Sequence, residues 1–260
     1  MISYCIACYR VPYAQLLIEE LERKTTCPYE ILLWINTVSP EFVEYILYKQ
    51  MAGVPVRVIG ISPENIGMKA FPHLFQAARY DIITQIDDDV IRISPGIAES
   101  AAAIFSRHSE VQQIVADVWQ DAHTTGSRPP MDEFTLYDEA DGLYDGPIDG
   151  WFSLYRRSML PTLMKIPYRQ YIFVGSCARH FLMEEGQKGL LCTKFKVLHL
   201  AGPQYACFFG QLDTEIGKYR SIGRDDLAAI YERVRTKLPP RETLEQSLQH
   251  AFGIIDTYPH

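Results

Sequence analysis

The sequence predicts an α/β fold: a mostly parallel central sheet with helices on both faces, followed by a helical C-terminal extension. Three observations carry that expectation. Over the first 120 residues, short apolar runs rich in β-forming residues alternate with stretches of helical spacing. The connections are long enough for right-handed crossovers, which set neighbouring strands parallel and cover both faces of the sheet. Of the 260 residues, 47% are hydrophobic and 22% charged, which is enough apolar surface for a core without disulfides.

The elements follow in chain order. Ile2–Cys8 is an apolar first strand, and Tyr13, Leu16, Leu17 and Leu21 mark a helix over Tyr13–Lys24. Glu30–Asn36 is strand-like, and Val54–Gly60, entered through Gly53, makes a third strand. Gly67–Arg79 reads as a helix and Asp81–Ile86 as a fourth strand. Ser94-Pro95 starts the next helix, with Ser as cap and Pro in the first turn, running to about His108. Val111–Val118 is a fifth strand. Residues 119–149 form a long polar loop carrying eight carboxylates, and loops of that length inside a domain are usually functional or mobile.

Beyond the loop, Trp151–Tyr155 reads as a strand, Cys177–Glu185 as a helix and Phe195–Leu200 as a last strand. Two further helices are expected at Asp225–Leu238 and Arg241–Phe252. This divides the chain into an α/β domain, 1–203, and a helical extension, 204–260. The extension's apolar positions Leu227, Ile230, Val234 and Leu238 make association into a homo-oligomer a further expectation.

Charge and cysteines narrow the function. A net charge of -7 with no dense Lys/Arg cluster argues against a nucleic-acid partner, because phosphate backbones are held by such clusters. No apolar run approaches the ~20 residues of a membrane span. The six cysteines are scattered, and strand alternation puts Cys5 and Cys8 on opposite faces, so they read as buried thiols of a reduced, cytoplasmic protein.

The chemistry is concentrated at Asp87-Asp88-Asp89, which closes the run Ile82-Ile-Thr-Gln-Ile86. Two unit charges 4 Å apart repel by about 1 kcal/mol in water and by several times that when partly buried. A packed fold gains from such a cluster when a cation compensates it, and hard divalent ions take carboxylate oxygens while bridging to substrate phosphates. Alternation sends Asp87 and Asp89 to the same side. The alternative is a solvated turn with one Asp capping its neighbours. The triplet stands at the carboxyl end of a central strand, where open α/β sheets bind their ligands.

The order of these motifs resembles the nucleotide-sugar glycosyltransferases of the GT-A fold. Their Asn-x-Gly segment precedes a helix and their Asp-x-Asp motif follows it, as Asn65-x-Gly67 and Asp87-Asp-Asp89 do here, with Gly67 twenty residues before Asp87. Leu33-Trp-Ile-Asn36 together with the triple Asp is similar to exostosin-type members. The resemblance implies that Cys8, Tyr9 and Arg10 touch the base and ribose and that Asn36 and Asn65 line the base side. It implies Lys69 at the diphosphate, Asp87 and Asp88 toward the nucleotide, and Asp87 and Asp89 at a Mn2+ or Mg2+ ion. His199, in Val197-Leu-His-Leu-Ala-Gly202, is similar to the third metal ligand. Gly150 would admit the donor sugar, and Trp151 would stack on it or belong to the core.

The pattern breaks at one place. Inverting members carry a Glu-Asp pair where this chain has Phe173-Val-Gly-Ser-Cys-Ala-Arg-His-Phe181. Without a carboxylate there, the resemblance tilts toward a retaining enzyme, with Asp149 as the carboxylate close to the reacting carbon. His180, Glu184 and Glu185 read as helix-surface residues. The implied activity is transfer of a hexose from a nucleoside-diphosphate sugar, UDP being the commonest donor, to a hydroxyl acceptor. Two rivals stand beside it: a nucleotidyltransferase, which would need a Gly-rich basic loop after the first strand, and a non-catalytic sugar-nucleotide or carbohydrate-binding protein.

Overall fold

The computed structural model describes residues 1–36, 39–124 and 128–258; residues 125–127 of the acidic loop and the last two of the extension lie outside them. The amino-terminal half alternates strand and helix, with α2 added to the elements expected: β1 (Ile2–Cys8), α1 (Val11–Lys24), β2 (Tyr29–Asn36), α2 (Pro40–Met51), β3 (Val56–Ser62), α3 (Phe71–Ala77) and β4 (Ile82–Ile86). There follow β5 (Val90–Ile93), α4 (Ile97–Arg107), β6 (Val111–Val118), β7 (Thr135–Asp138), β8 (Leu143–Asp145) and β9 (Phe152–Arg156). The chain ends with α5 (Leu160–Leu163), α6 (Val174–Glu184), β10 (Lys188–His199), α7 (Pro203–Phe208), α8 (Leu212–Ser221), α9 (Asp225–Val234) and α10 (Arg241–Asp256).

Ten strands form one sheet in the order β3-β2-β1-β4-β9-β6-β10-β8-β7, with β5 paired to β10. The β3-β2-β1-β4 half is parallel, and β9 lies antiparallel between β4 and β6. Strand alternation fills a separate core on each face. Ile2, Tyr4, Ile6 and Cys8 of β1 join one, while Cys5 joins Leu32, Ile83 and Tyr155 in the other, so Cys5 and Cys8 do face opposite ways. All six cysteines are free thiols. No helix among the described residues is long and apolar enough to cross a membrane.

Four differences from the sequence reading have physical causes. The helix expected from Ser94-Pro95 begins at Ile97, after Gly96 in the left-handed region at φ 66°. Ser94 is held by the sheet instead: its N–H donates to Lys196 O at 2.8 Å and its Oγ accepts from Lys196 N at 3.0 Å. The acidic loop contains the β7–β8 hairpin, whose first strand lies at the exposed sheet edge and so lacks an apolar alternation. The last strand is 12 residues long rather than the six of Phe195–Leu200, because Lys188, Thr193 and Lys194 interrupt its apolar pattern. The extension has four helices rather than two.

Those helices pack back onto the sheet. Leu244, Leu248, Ala251 and Ile255, at helical spacing on α10, bury against Tyr13, Ile91, Leu198 and Leu200. Helices α8 and α9 share a smaller core of Leu212, Ile216, Ala228 and Tyr231, and Ile230 and Leu238 remain exposed.

Candidate active site

The triplet is the turn between β4 and β5: Val90 N donates to Asp87 O at 3.1 Å, and Asp87 N donates to Trp151 O at 3.0 Å. Because β5 pairs antiparallel with β10 in the register His199↔Val90, the imidazole arrives beside the triplet. Leu200 N closes the arrangement by donating to Asp89 O at 2.9 Å. His199 Nε2 lies 3.1 Å from Asp89 Oδ1 and 3.7 Å from Asp87 Oδ2. One ligand atom from each of Asp87, Asp89 and His199 falls within 4.8 Å of the others.

The middle carboxylate has a different task. Asp88 is buried and accepts the backbone N–H groups of Tyr9 at 2.6 Å and Arg10 at 2.7 Å, and it also binds the Arg10 guanidinium. It therefore ties the loop after β1 to the end of β4. Arg10, 12% exposed, also donates from one terminal nitrogen to Asp89 Oδ2 at 2.6 Å and to Glu215 of α8 at 2.8 Å. Arg10, expected at the base and ribose, lines the cleft and pairs with three carboxylates.

These groups line a cleft of about 660 Å³. Among the described residues lining it are five carboxylates, Asp87, Asp88, Asp89, Asp149 and Glu215, against two permanent cations, Arg10 and Lys218. The imbalance appears in the titration. Burial pushes Asp87 up to about 7 against the pull of His199, and the Asp89 and Asp149 charges add to the rise. Burial also pushes Asp149 up to about 6. Asp89 is held low: burial opposes ionisation, but Arg10 and His199 override it. Burial disfavours the imidazolium of His199, yet the Asp89 carboxylate beside it raises the pKa. Asp89 Oδ1 has only the His199 imidazole beside it, and His199 Nδ1 is buried without a hydrogen-bond partner. Two carboxylates and an imidazole with unmet valences in an acidic cleft fit a divalent ion.

Asp149 sits against the start of α6. Ser176 N approaches Asp149 Oδ1 at 3.4 Å, and the backbone of Gly150 and Gly175 also lowers its pKa, though less than burial raises it. A Cβ on Gly175 would come within 2.4 Å of the Asp149 backbone, so glycine there permits the approach. A carboxylate thus stands at the N-terminus of the helix whose own segment, 173–181, carries none. Gly150 answers to a neighbour rather than to an open sugar site, since a Cβ there would lie 2.1 Å from the Gln85 amide.

The remaining predicted residues divide. Tyr9, Asn36 and Asn65 line the cleft with Arg10. Asn36 Oδ1 accepts from Ile66 N and Ser62 Oγ, each at 3.0 Å, and Asn65 Oδ1 accepts from Gly67 N at 2.8 Å, so both also shape the wall. Gly67, at φ 56°, lies so close to Gln170 O that a Cβ would reach it at 1.9 Å. Two residues lie apart from the cleft lining: Cys8 is buried in the core, and Lys69 points to solvent from a single 3-10 turn. Trp151 belongs to the core, donating from Nε1 to Ala116 O at 2.6 Å while one edge reaches the cleft. His180, 72% exposed, pairs with Glu184 on the helix surface.

Sequence reasoning missed the far wall. Glu215, Lys218, Tyr219 and Tyr231, all from α8 and α9, line the same cleft as the triplet. The one signal available is Leu212 and Ile216 at helical spacing in an otherwise polar segment.

No protein-family model matches the chain. No curated protein matches it by sequence. Solved structures do match in shape. Residues 1–349 of TarS from S. aureus superpose with a TM-score of 0.55 at 12% identity, covering 88% of this chain and 70% of that one. GalNAc-T7, solved with UDP, GalNAc and Mn2+, gives 0.61 at 11% identity over 82% of this chain and 48% of its own. The mannosyltransferase PcManGT of Pyrobaculum calidifontis, solved with GDP-Man and Mn2+, gives 0.58 at 10% identity over 98% and 69%. Identities this low carry architecture and not activity: the chain has the GT-A fold of nucleotide-sugar glycosyltransferases.

Proposed function

We propose that the protein transfers a hexose from a nucleoside-diphosphate sugar, UDP being the first donor to test, to a hydroxyl acceptor, using a Mn2+ or Mg2+ ion held by Asp87, Asp89 and His199. The observation that carries this is the meeting of those three residues in a cleft with five carboxylates and two permanent cations. When bound, the ion supplies Lewis-acid stabilisation of the charge that develops on the leaving diphosphate.

The chain's own residues do the rest. Asp88 and Arg10 hold the loop after β1 against the end of β4, so that Tyr9 and Asn36 line the nucleotide side. Asp87, the most solvent-accessible of the triplet, faces the nucleotide. In the transfer, the bond from the anomeric carbon to the diphosphate oxygen breaks with its electron pair on that oxygen. The acceptor oxygen forms the new bond and gives up its proton. Asp149, half-buried at the α6 N-terminus and lining the cleft, is the carboxylate we assign to receive it. With that assignment the transfer is read as inverting, where the sequence resemblance leans to retention.

Calorimetric titration with UDP, with and without Mn2+, tests the reading. Metal-dependent binding supports it, and binding indifferent to the ion would sink it. Hydrolysis or transfer of the bound UDP-sugar then separates an enzyme from a binding-only protein. The anomeric configuration of the product, read by NMR, decides the role of Asp149: inversion is expected, and retention with an active Asp149→Asn variant would remove it. A nucleotidyltransferase is disfavoured because the loop after β1 is Tyr9-Arg10-Val11-Pro12, with Arg10 consumed by carboxylates rather than presented to a triphosphate.

A further inference from the structure

A diphosphate in this cleft faces an excess of carboxylates, and Lys69, the cation the sequence offers for it, points to solvent. Of the two cations lining the cleft, Arg10 is committed, its planar fork taken up by Asp88, Asp89 and Glu215. Lys218 is different. It comes from α8 on the opposite wall and is 21% exposed. Its hydrogen-bond partner is Glu215, one helical turn back on α8, and that carboxylate is already shared with Arg10 at 2.8 Å. Its ammonium also stands 4.7 Å over the Tyr219 ring. An ammonium carries three N–H donors, so one bond to Glu215 leaves donor capacity beside the cleft.

Lys218 lines the same cleft as Asp87, Asp89 and Asp149, so the ammonium and the triplet border one cavity. A flexible four-carbon stem with a compact charge suits a group that must follow a departing phosphate, where a planar guanidinium already fixed by three carboxylates does not.

We infer that Lys218 is the protein cation that binds the diphosphate of the donor and steadies it as it leaves, with Glu215 and Tyr219 holding the side chain ready at the cleft wall. This rests on the transferase reading above. It makes α8, the third helix from the carboxyl terminus, part of the binding site rather than an appendage. It also gives Glu215 a double role, bridging Arg10 on the triplet side to Lys218 on the helical side.

The test uses the full chain with Lys218→Ala, Lys218→Met and Lys218→Arg, titrated with UDP and with UMP in the presence of Mn2+. Lys218→Met keeps the apolar stem, so it remains informative where Lys218→Ala fails to fold, and the thermal midpoint reports folding for each. Removing the ammonium is expected to weaken UDP by about tenfold or more and to leave UMP within about twofold, with Arg restoring most of the loss. A selective loss on UDP distinguishes contact with the second phosphate from general damage to the wall. Wild-type affinity for UDP in Lys218→Met, or an equal loss on UDP and UMP, overturns the assignment while leaving the transferase reading intact. Absence of Mn2+-dependent UDP binding in the unaltered protein overturns both.

Discussion

Among the described residues, two places bring two aspartates and a histidine within 4.8 Å: Asp87, Asp89 and His199 at the cleft, and Asp138, Asp141 and His108 at the sheet edge. By ligand type and spacing they are alike, and their surroundings differ. At the edge, Asp141 accepts a two-pronged guanidinium from Arg107 and lies 2.8 Å from His108 Nε2, and Asp138 accepts the Asp141 N–H at 2.9 Å. Each carboxylate there already has its partners. In the cleft the carboxylates outnumber the cations, Asp89 Oδ1 has only the His199 imidazole beside it, and His199 Nδ1 is buried without a partner. Proximity of three ligands therefore does not make a metal site; unmet charge and unmet hydrogen bonds distinguish one cluster from the other.

The largest effect that could break this contrast is on activity. Asp89→Asn should reduce Mn2+-dependent transfer or UDP-sugar hydrolysis by at least about a hundredfold, since the leaving group loses its main electrostatic support. Asp141→Asn, measured in the same assay, should leave the rate unchanged. Equal losses in the two variants would erase the distinction. Next comes stability. Arg10→Ala takes the guanidinium from three buried carboxylates, leaving Asp88 without a cationic partner, and should cost about 3 kcal/mol in denaturant unfolding of the metal-free protein. Arg107 is 53% exposed, and Arg107→Ala should move the same unfolding curve far less.

The pH dependence should run in opposite senses at Asp87 and Asp149 of the cleft and at Asp141 of the edge, with Asp89, held low, on the side of Asp141. Asp87 and Asp149 are pushed up to about 7 and about 6, chiefly by burial, from an unfolded value of about 4. The native state therefore holds extra protons, and the associated stability, full below pH 4, is lost as pH rises through 6 to 7. Mn2+ should cancel that loss by stabilising the ionised carboxylates. Asp141 is held below the usual carboxylate range, first by its Arg107 hydrogen bonds, so its contribution is present at neutral pH and lost as pH falls below about 4. Thermal midpoints measured from pH 3 to 8, with and without Mn2+, check both limbs. A midpoint that rises with pH from 4 to 7 in the metal-free protein would contradict the reading of the cleft. The smallest expected effect is at His180: His180→Ala, an exposed helix-surface change, should alter neither activity nor midpoint measurably.

The sheet and the triplet were legible because their signals are local. Ile2–Cys8, Glu30–Asn36 and Ile82–Ile86 announce themselves by apolar runs, and three adjacent aspartates at a strand end need no partner to be noticed. His199 was legible through resemblance, and its physical cause, the pairing of β5 with β10, was not, because β5 is four residues long and its register is set by a strand a hundred residues away. Lys218 and Glu215 were invisible for the same reason in stronger form: Glu215 meets Arg10 across 205 positions of sequence, and α8 carries too few apolar residues to announce where it docks. Lys69 is the converse case, a motif position that is exposed on a local 3-10 turn and does not line the cleft. Asp149 falls between, with a charge visible in sequence and a location against α6 that depends on Gly175.

The central claim is that the Asp87–Asp89–His199 cluster takes a divalent ion and the edge cluster does not. Anomalous diffraction at the manganese edge, from crystals of the full chain grown with Mn2+ and UDP, tests it directly. The account predicts one strong peak within coordination distance of Asp89 and His199, beside the UDP diphosphate, and none at Asp138, Asp141 and His108. A peak at the edge cluster alone, or UDP density in the cleft with no peak at Asp89 and His199, would contradict it.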